Sequence, residues 1–227
     1  MRLKSAIAVM SLSLVCLLPR VSFADTLTLD TVGGQETDDE FVFPYVLTIT
    51  GPGGSSTADM SCLNYNRNIS FSESWGVTAV NVATISPSAS IDGETGAQII
   101  EDAYLFNQYA AATGNAQQTS DIQFAIWDIM DPGDISRMSG YDANAVALDA
   151  QAASLAPLQP SSEYANDNLF VPINGTQPSG DGEPQLFMTD PAPPAITPEP
   201  ASLVLLGTGM LGAVAIMRRK RMKAVNA

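Results

Sequence analysis

Residues 119–130 have the sequence TSDIQFAIWDIM and form the best-marked helical pattern in the chain. Their apolar members recur at the spacing of one helix face: Ile122, Ala125, Ile126, Ile129 and Met130. Thr119, Ser120 and Asp121 are candidate N-cap residues. The turn sequence Asp131-Pro132-Gly133 predicts the end of the helix. The pattern therefore predicts an amphipathic helix that buries one face.

Two more helices are predicted on either side of it, Ala97–Ala112 and Ala143–Leu155. Alternating and β-branched residues predict five strands outside this helical block: Thr26–Val32, Phe41–Thr50, Gly76–Ile85, Asn168–Ile173 and Gln185–Thr189. Strands before and after a block of helices are typical of an α+β fold. We expect an antiparallel β framework with a three-helix insertion.

The charge of the chain is very unevenly distributed. The net charge is −14, and every acidic residue except Glu199 lies between residues 25 and 197. That stretch has only two basic residues, Arg67 and Arg137, and the whole chain has no histidine. Nucleic acid is therefore excluded as a partner of the middle of the chain, because binding it requires a basic surface. Mechanisms that need an imidazole base or a histidine-bound metal are excluded as well.

The N-terminus, residues 1–24, has the pattern of a signal peptide. Arg2 and Lys4 precede an apolar run, and the small residues of Ser22-Phe23-Ala24 fit cleavage by signal peptidase after Ala24. We expect an exported acidic domain over residues 25–190.

The C-terminus has the pattern of a membrane anchor. A proline-rich linker over residues 191–200 leads into an uncharged apolar run, 201–217, which is about long enough to span a bilayer as a helix. The basic cluster Arg218-Arg219-Lys220-Arg221 follows at once and opens a basic tail, 218–227. Positive residues after the span place this tail in the cytoplasm and the acidic domain outside it.

The string TPEPASLVLLGTGMLGAVAIMRRKR, residues 197–221, resembles the PEP-CTERM sorting signal of Gram-negative bacteria. Its motif residues are Pro198, Glu199 and Pro200, followed by the apolar span and the basic cluster. The resemblance implies recognition by an exosortase-type enzyme. It also implies that the protein is held in the inner membrane until it is sorted to the cell envelope or to the exopolysaccharide matrix.

Cys62 is the only cysteine that remains after export, because Cys16 lies in the predicted signal peptide. Exported thiols normally pair, so a lone one is an inert buried residue, a partner in an intermolecular disulfide, or a reactive group. The sequence leaves these three interpretations open.

A second string bears on that choice. Gln123 begins the sequence Gln-x-Ala-Ile-Trp that ends at Trp127, and Tyr109 lies near the end of the helix before it. Together with the upstream Cys62, this pattern resembles the Cys–Gln thioester domains of bacterial surface adhesins. The resemblance implies that Cys62 supplies the thiol and Gln123 the acyl group of an internal thioester that can acylate a surface amine.

Acidic residues cluster in two places. One run comprises Glu36, Asp38, Asp39 and Glu40, and the other comprises Asp128, Asp131 and Asp134. Aspartates beside proline and glycine are common caps and turn formers, and no known calcium-loop pattern is present. The sequence predicts no metal and no cofactor.

Three functions are consistent with these features. The first is a non-enzymatic surface or matrix protein that associates with exopolysaccharide, and the second is a covalent adhesin with the Cys62–Gln123 thioester. The third is a glycan hydrolase, because paired carboxylates are abundant although no pair is singled out. We expect the protein not to be an enzyme.

Overall fold

The computed structural model describes residues 25–34, 36–37, 40–67, 69–173 and 184–190. The predicted signal peptide, linker, membrane helix and basic tail lie outside these residues. Within the described ranges, no helix combines the length and the apolar character needed to cross a membrane.

The described residues contain ten strands: β1 (Asp25–Val32), β2 (Glu36–Thr37), β3 (Glu40–Phe41), β4 (Tyr45–Gly51), β5 (Gly54–Cys62), β6 (Ser74–Asn81), β7 (Ser90–Ile91), β8 (Glu94–Thr95), β9 (Asn168–Pro172) and β10 (Phe187–Thr189). Six of them form a closed barrel in the order β1–β4–β5–β10–β9–β6. Each neighbouring pair is antiparallel, and β6 returns to pair with β1. The other four form two small two-stranded sheets, β2–β3 and β7–β8.

Alternation along the strands fills the inside of the barrel. Successive side chains of a strand point to opposite faces, so every second residue of β1 and β4 points inward. The inner residues form one buried cluster: Leu27, Leu29, Tyr45, Leu47, Ile49, Ala58, Met60, Cys62, Trp75, Val77, Phe170 and Phe187. Serine and threonine residues occupy the outward positions, where the Thr28 and Ser74 side chains form one hydrogen bond and the Thr50 and Ser55 side chains form another. The barrel thus has an apolar interior and, on this side, a hydroxyl-bearing exterior.

Three α-helices lie in the described residues: α1 (Gly96–Phe106), α2 (Ala116–Met130) and α3 (Ala143–Leu155). Their N-cap residues are Thr95, Asn115 and Asp142, and each side chain accepts a backbone N–H of the first turn. All three helices lie between β6 and β9, which are hydrogen-bonded neighbours in the barrel. The predicted antiparallel framework with a three-helix insertion is confirmed.

The helices pack on the outer face of the barrel. Leu169 of β9 and Met188 of β10 belong to a buried cluster with residues of α1 and α2 such as Ile99 and Ile126. This packing lays α2 close to the end of β5. The protein therefore has one buried cluster inside the barrel and another between the barrel and the helices. Strands β5, β10 and β9 separate the two clusters.

The structure differs from the sequence-based prediction in several elements. The strand predicted over Phe41–Thr50 is observed as β4, Tyr45–Gly51. The strand predicted over Gly76–Ile85 ends at Asn81, because a short 3-10 helix follows over Val82–Thr84. The short strands β2, β7 and β8 were not predicted.

Strand β5, which carries Cys62, was not predicted, because Gly54-Ser55-Ser56-Thr57 is polar and small. Helix α1 ends at Phe106 rather than Ala112, and turns continue the chain from 107 to 114. Helix α2 begins at Ala116, because Asn115 caps it ahead of the predicted cap residues.

Candidate functional site

Cys62 is the last residue of β5 and lies 1% exposed as a free thiol. Its Sγ is 3.1 Å from Gln185 Oε1 and 3.4 Å from the backbone oxygen of Asn64, so both oxygens are acceptors for the thiol proton. Because Cys62 pairs with Phe187 across the ladder, its side chain belongs to the interior cluster. The thiol is therefore held at one end of the barrel, out of contact with solvent.

Gln123 lies on α2 and is fully buried. Its Nε2 donates to the backbone oxygen of Cys62 at 2.7 Å. Its Oε1 accepts from Ser61 Oγ at 3.2 Å and from Tyr109 Oη at 3.1 Å. The structure thus brings together Cys62 and Gln123, the two residues singled out in the sequence, with a direct hydrogen bond from the glutamine amide to the cysteine backbone.

The register of β5 explains this arrangement. Ser61 pairs with Met188, whose side chain lies in the cluster beneath the helices, so Ser61 faces α2. Cys62 is the next residue and points the other way, into the barrel. The Ser61 hydroxyl therefore donates to Oε1 of the Gln123 carboxamide, and the Cys62 carbonyl oxygen accepts from its Nε2.

Burial sets the protonation state of the site. It raises the pKa of the Cys62 thiol from 9.0 to about 12, and the Trp127 indole beside the sulfur opposes this only in part. Burial also raises the pKa of Tyr109 above its ordinary value, although the Ser61 hydroxyl beside it acts in the opposite direction. At neutral pH the cysteine is a thiol and the tyrosine is a hydrogen-bond donor.

Aromatic rings cover the site. Trp127, one helical turn after Gln123, is 2% exposed and packs against Phe124 and Tyr65 with ring centroids 5.2 and 5.5 Å away. On the other side, the ring of Tyr109 stacks on Phe43 at 4.0 Å with an interplanar angle of 13°. The Gln123 carboxamide is enclosed between these two aromatic walls.

Three residues of the site have no counterpart in the sequence prediction. They are Ser61, Asn64 and Gln185, all buried. Gln185 reaches Cys62 from 123 positions along the chain, and its Nε2 donates to the backbone oxygen of Arg67. Asn64 Oδ1 accepts the backbone N–H of Leu186 at 3.0 Å, which fixes the start of β10 beside the thiol. Only the position of Ser61 next to Cys62 offered a signal in the sequence.

A cavity of about 510 Å³ is lined in part by Tyr109. Phe43, Phe106 and Asn107 line it, together with the acidic Asp59 and Asp190. Tyr109 therefore lines this cavity and also contacts the Gln123 carboxamide through its hydroxyl group.

The aspartates of the 128–134 cluster hold loops together. Asp128 accepts from Gly133 N at 3.0 Å and from Tyr141 Oη at 2.6 Å. Asp131 accepts the backbone N–H of Tyr65 at 2.8 Å. The described residues contain no group of three histidine, cysteine or acidic side chains arranged to hold a metal ion.

One carboxyl pair stands near the cavity. Asp167 is 1% exposed and accepts from Asn107 Nδ2 at 3.0 Å. Burial and the neighbouring Asp190 carboxyl raise the pKa of Asp167 to about 7, against the opposing effect of Asn107. The pair adds to the acidic character of this side of the molecule.

Comparison with known proteins identifies one motif in the sequence. A family model of the PEP-CTERM protein-sorting motif matches residues 197–221. The match contains Pro198, Glu199 and Pro200 and confirms the C-terminal resemblance. The chain carries a PEP-CTERM sorting signal, which indicates an exported surface protein and implies recognition by an exosortase-type enzyme.

Two solved structures resemble the described fold. One is the N-terminal thioester domain of the fibronectin-binding protein SfbI from Streptococcus pyogenes, with 13% identity, a TM-score of 0.38 and coverage of 78% of this chain and 97% of that chain. The other is the N-terminal thioester domain of a surface protein from Clostridium perfringens, with 10% identity, a TM-score of 0.41 and coverage of 73% and 97%. No curated protein matches the chain.

Proposed function

We propose that this exported surface protein attaches covalently to primary amines through an internal thioester between Cys62 Sγ and Gln123 Cδ. The observation that supports it most directly is the 2.7 Å hydrogen bond from Gln123 Nε2 to the Cys62 backbone oxygen. The two residues are 61 positions apart, and both are excluded from water. The structure thus fixes the two residues side by side, and positioning a nucleophile near its target is what lets an otherwise unfavourable acyl transfer proceed.

The thioester forms in a balanced step. The Cys62 sulfur, turned from its acceptors on Gln185 and Asn64, adds to Gln123 Cδ, and the C–N bond then breaks. The thiol proton leaves with the amide nitrogen as ammonia. Because burial raises the pKa of the thiol to about 12, this proton is transferred during the attack rather than before it.

Two features of the chain protect such a bond. Gln123 is fully buried between aromatic walls, which keeps water from an activated carbonyl. Residues 25–197 contain no lysine, so the exported domain has no side-chain amine of its own to react with it. The acyl group is therefore kept for an amine from another molecule.

The cavity beside Tyr109 supplies the approach for that amine. Its acidic residues Asp59 and Asp190 attract a cation, and the aromatic Phe43 and Tyr109 lie next to them. In the second step the bound ammonium group gives one proton to solvent, the neutral amine nitrogen bonds to Gln123 Cδ, the C–S bond breaks, and a second proton of the amine passes to Cys62. Each molecule reacts once, so the protein is a binding protein and not an enzyme.

The predicted ends of the chain supply the route to the surface. Signal peptidase removes residues 1–24, the predicted membrane span 201–217 holds the exported domain at the inner membrane, and an exosortase-type enzyme acts at Pro198-Glu199-Pro200. The sorted domain then reaches the envelope or the extracellular matrix of a Gram-negative bacterium. There, surface amines are available to the thioester.

Methylamine tests the proposal. We expect the native full-length protein to gain one methylamine at Gln123 and to release one thiol at Cys62, both located by peptide mass mapping. The matched variants Cys62→Ser and Gln123→Glu should gain none. Incorporation at Gln185, the other amide beside the sulfur, would show that the acyl donor was assigned to the wrong glutamine. Absence of incorporation in the wild type would contradict the proposal.

The second candidate is a non-covalent matrix role, which the hydroxyl-bearing outer face of the barrel favours. Thr48 of β4 donates to Asp30 at 2.6 Å and lies beside Thr57, so hydroxyl and carboxylate groups share one exposed surface. Such groups hydrogen-bond sugars. This role predicts that Cys62→Ser binds purified exopolysaccharide as well as the wild type does. Failure of both proteins to bind would exclude it.

A further inference from the structure

Gln123 Oε1 accepts two hydrogen bonds from hydroxyl groups on two different elements. Ser61 Oγ, from β5, lies 3.2 Å away, and Tyr109 Oη, from the turns after α1, lies 3.1 Å away. The two hydroxyl oxygens are themselves 3.5 Å apart. Ser61 is fully buried and Tyr109 is 6% exposed. Both lone pairs of the Gln123 carbonyl oxygen therefore accept from hydroxyl groups.

The oxygen that they contact is the atom on which charge develops. When sulfur adds to Gln123 Cδ, the C=O bond opens and Oε1 carries the negative charge until the C–N bond breaks. When an amine later adds to the thioester, the same oxygen carries the charge until the C–S bond breaks. Donors fixed at such a position in a dry site lower the barrier of both steps.

Both donors are held in place before any reaction. Ser61 is fixed by the β5–β10 ladder, where it pairs with Met188. Tyr109 is fixed by its stack on Phe43 and by an edge contact with Phe106 at 5.8 Å. Burial keeps Tyr109 protonated, because it raises the pKa of the phenol. Neither group has to reorient when the charge forms.

We propose that Ser61 and Tyr109 form a two-hydroxyl oxyanion site that activates the Gln123 carbonyl, both for thioester formation and for its reaction with an amine. The inference rests on the proposed thioester and adds two catalytic residues to it. The site takes the oxygen of an sp² carbonyl group whose carbon becomes tetrahedral, which is the chemistry of acyl transfer.

The test measures the rate of methylamine incorporation into the full-length protein. Tyr109→Phe removes one hydroxyl and keeps the ring stack, and Ser61→Ala removes the other. Loss of one oxyanion donor typically costs a factor of about 10² to 10³ in rate. We expect each variant to react on the order of 100-fold more slowly than the wild type, and Ser61→Thr, which keeps a hydroxyl, to recover most of the rate.

Controls separate this role from a structural one. Tyr164→Phe removes another buried tyrosine hydroxyl, which donates to the Ala156 backbone oxygen at 3.3 Å, and it should leave the rate unchanged. Thermal melting checks that each variant is folded. The infrared carbonyl band of the thioester gives a measurement that does not depend on kinetics. It should move to higher frequency in Tyr109→Phe, because a hydrogen bond to the oxygen is lost.

The outcomes distinguish the two proposals. If the wild type and the folded variants Tyr109→Phe and Ser61→Ala incorporate methylamine at the same rate, the oxyanion site is wrong and the thioester still stands. A wild-type protein that incorporates none overturns the thioester itself. Slow folded variants with an unchanged Tyr164→Phe control support the oxyanion site.

Discussion

Asp102 of α1 is a fully buried carboxyl group in the core between helices and barrel. Neither of its oxygens has a hydrogen-bond partner among the described residues. Burial raises the pKa of Asp102 well above 3.8, and nearby carboxylates, among them Glu101 and Glu94, raise it further. The folded protein therefore retains a proton at Asp102 that the unfolded chain releases once the pH exceeds 3.8.

This proton makes stability depend on pH. Below pH 3.8 both states are protonated and Asp102 carries no penalty. As the pH rises towards the folded-state pKa, stability falls by up to about 1.4 kcal/mol per pH unit. We expect Asp102→Asn to be more stable than the wild type in urea unfolding at pH 7, with the difference shrinking at pH 4. The exposed Glu163→Gln is the matched control and should show no such trend. A pH-independent difference for Asp102→Asn would contradict this account.

The Cys62 thiol gives a second prediction at the residue scale. In Gln123→Ala no thioester can form, and the thiol stays buried with a pKa of about 12 rather than 9.0. The thiolate is the reactive form. A rise of about three units in the pKa of the thiol therefore reduces the thiolate population about 1000-fold at neutral pH. We expect native Gln123→Ala to react with iodoacetamide at least about 1000-fold more slowly than the same protein in urea. Equal rates in the two conditions would show that Cys62 is accessible.

Helix α2 carries both Gln123 and Trp127, and its first turn depends on one side chain. Asn115 Oδ1 accepts the backbone N–H of Gln118 at 3.2 Å. Replacing an N-cap residue by alanine typically costs about 1 kcal/mol. We expect Asn115→Ala to lower the free energy of unfolding by about that amount, and Asn115→Asp, which keeps the cap, to stay near the wild type. An alanine variant as stable as the wild type would mean that the cap is not formed.

Elements differed in how far the sequence predicted them. Helix α3 was predicted with its exact bounds, because an amphipathic pattern and a terminal proline are local signals. Strand β5 was missed, since its strand conformation comes from pairing with β4 over seven residue pairs and not from its own polar sequence. Because β5 was not predicted, its register was not known, and it is this register that directs Ser61 to Gln123. Gln185 could not be found from sequence at all, since its contact with Cys62 spans 123 positions.

At the scale of the whole molecule, the chain joins a C-terminal sorting signal to the described domain. The PEP-CTERM motif covers residues 197–221, beyond the described domain. Because recognition depends on this motif, we expect the double substitution Pro198→Ala with Glu199→Ala to leave residues 201–227 attached and the protein in the inner membrane. Cell fractionation and the mass of the envelope form measure this. An unchanged mass and location in the variant would show that the motif does not direct sorting.

The fold class followed from the alternation of local patterns, whereas closure of the barrel did not. The pairing of β6 with β9 joins segments separated by the whole helical insertion, and its pairing with β1 spans strands β2 to β5. No local pattern encodes either pairing. This closure places the end of β5 beneath α2 and so creates the contact between Cys62 and Gln123. The resemblance to thioester domains named the two residues, and the structure adds the hydroxyl groups and the second glutamine around them.

The intact mass of the exported wild-type protein, measured under denaturing conditions and without added amine, tests the thioester most directly. The account predicts a mass lower by one ammonia than the processed sequence requires, whereas Cys62→Ser, processed in the same way, has its full mass. A wild-type protein of full mass, with Cys62 fully alkylated in urea and no amine added, would contradict it.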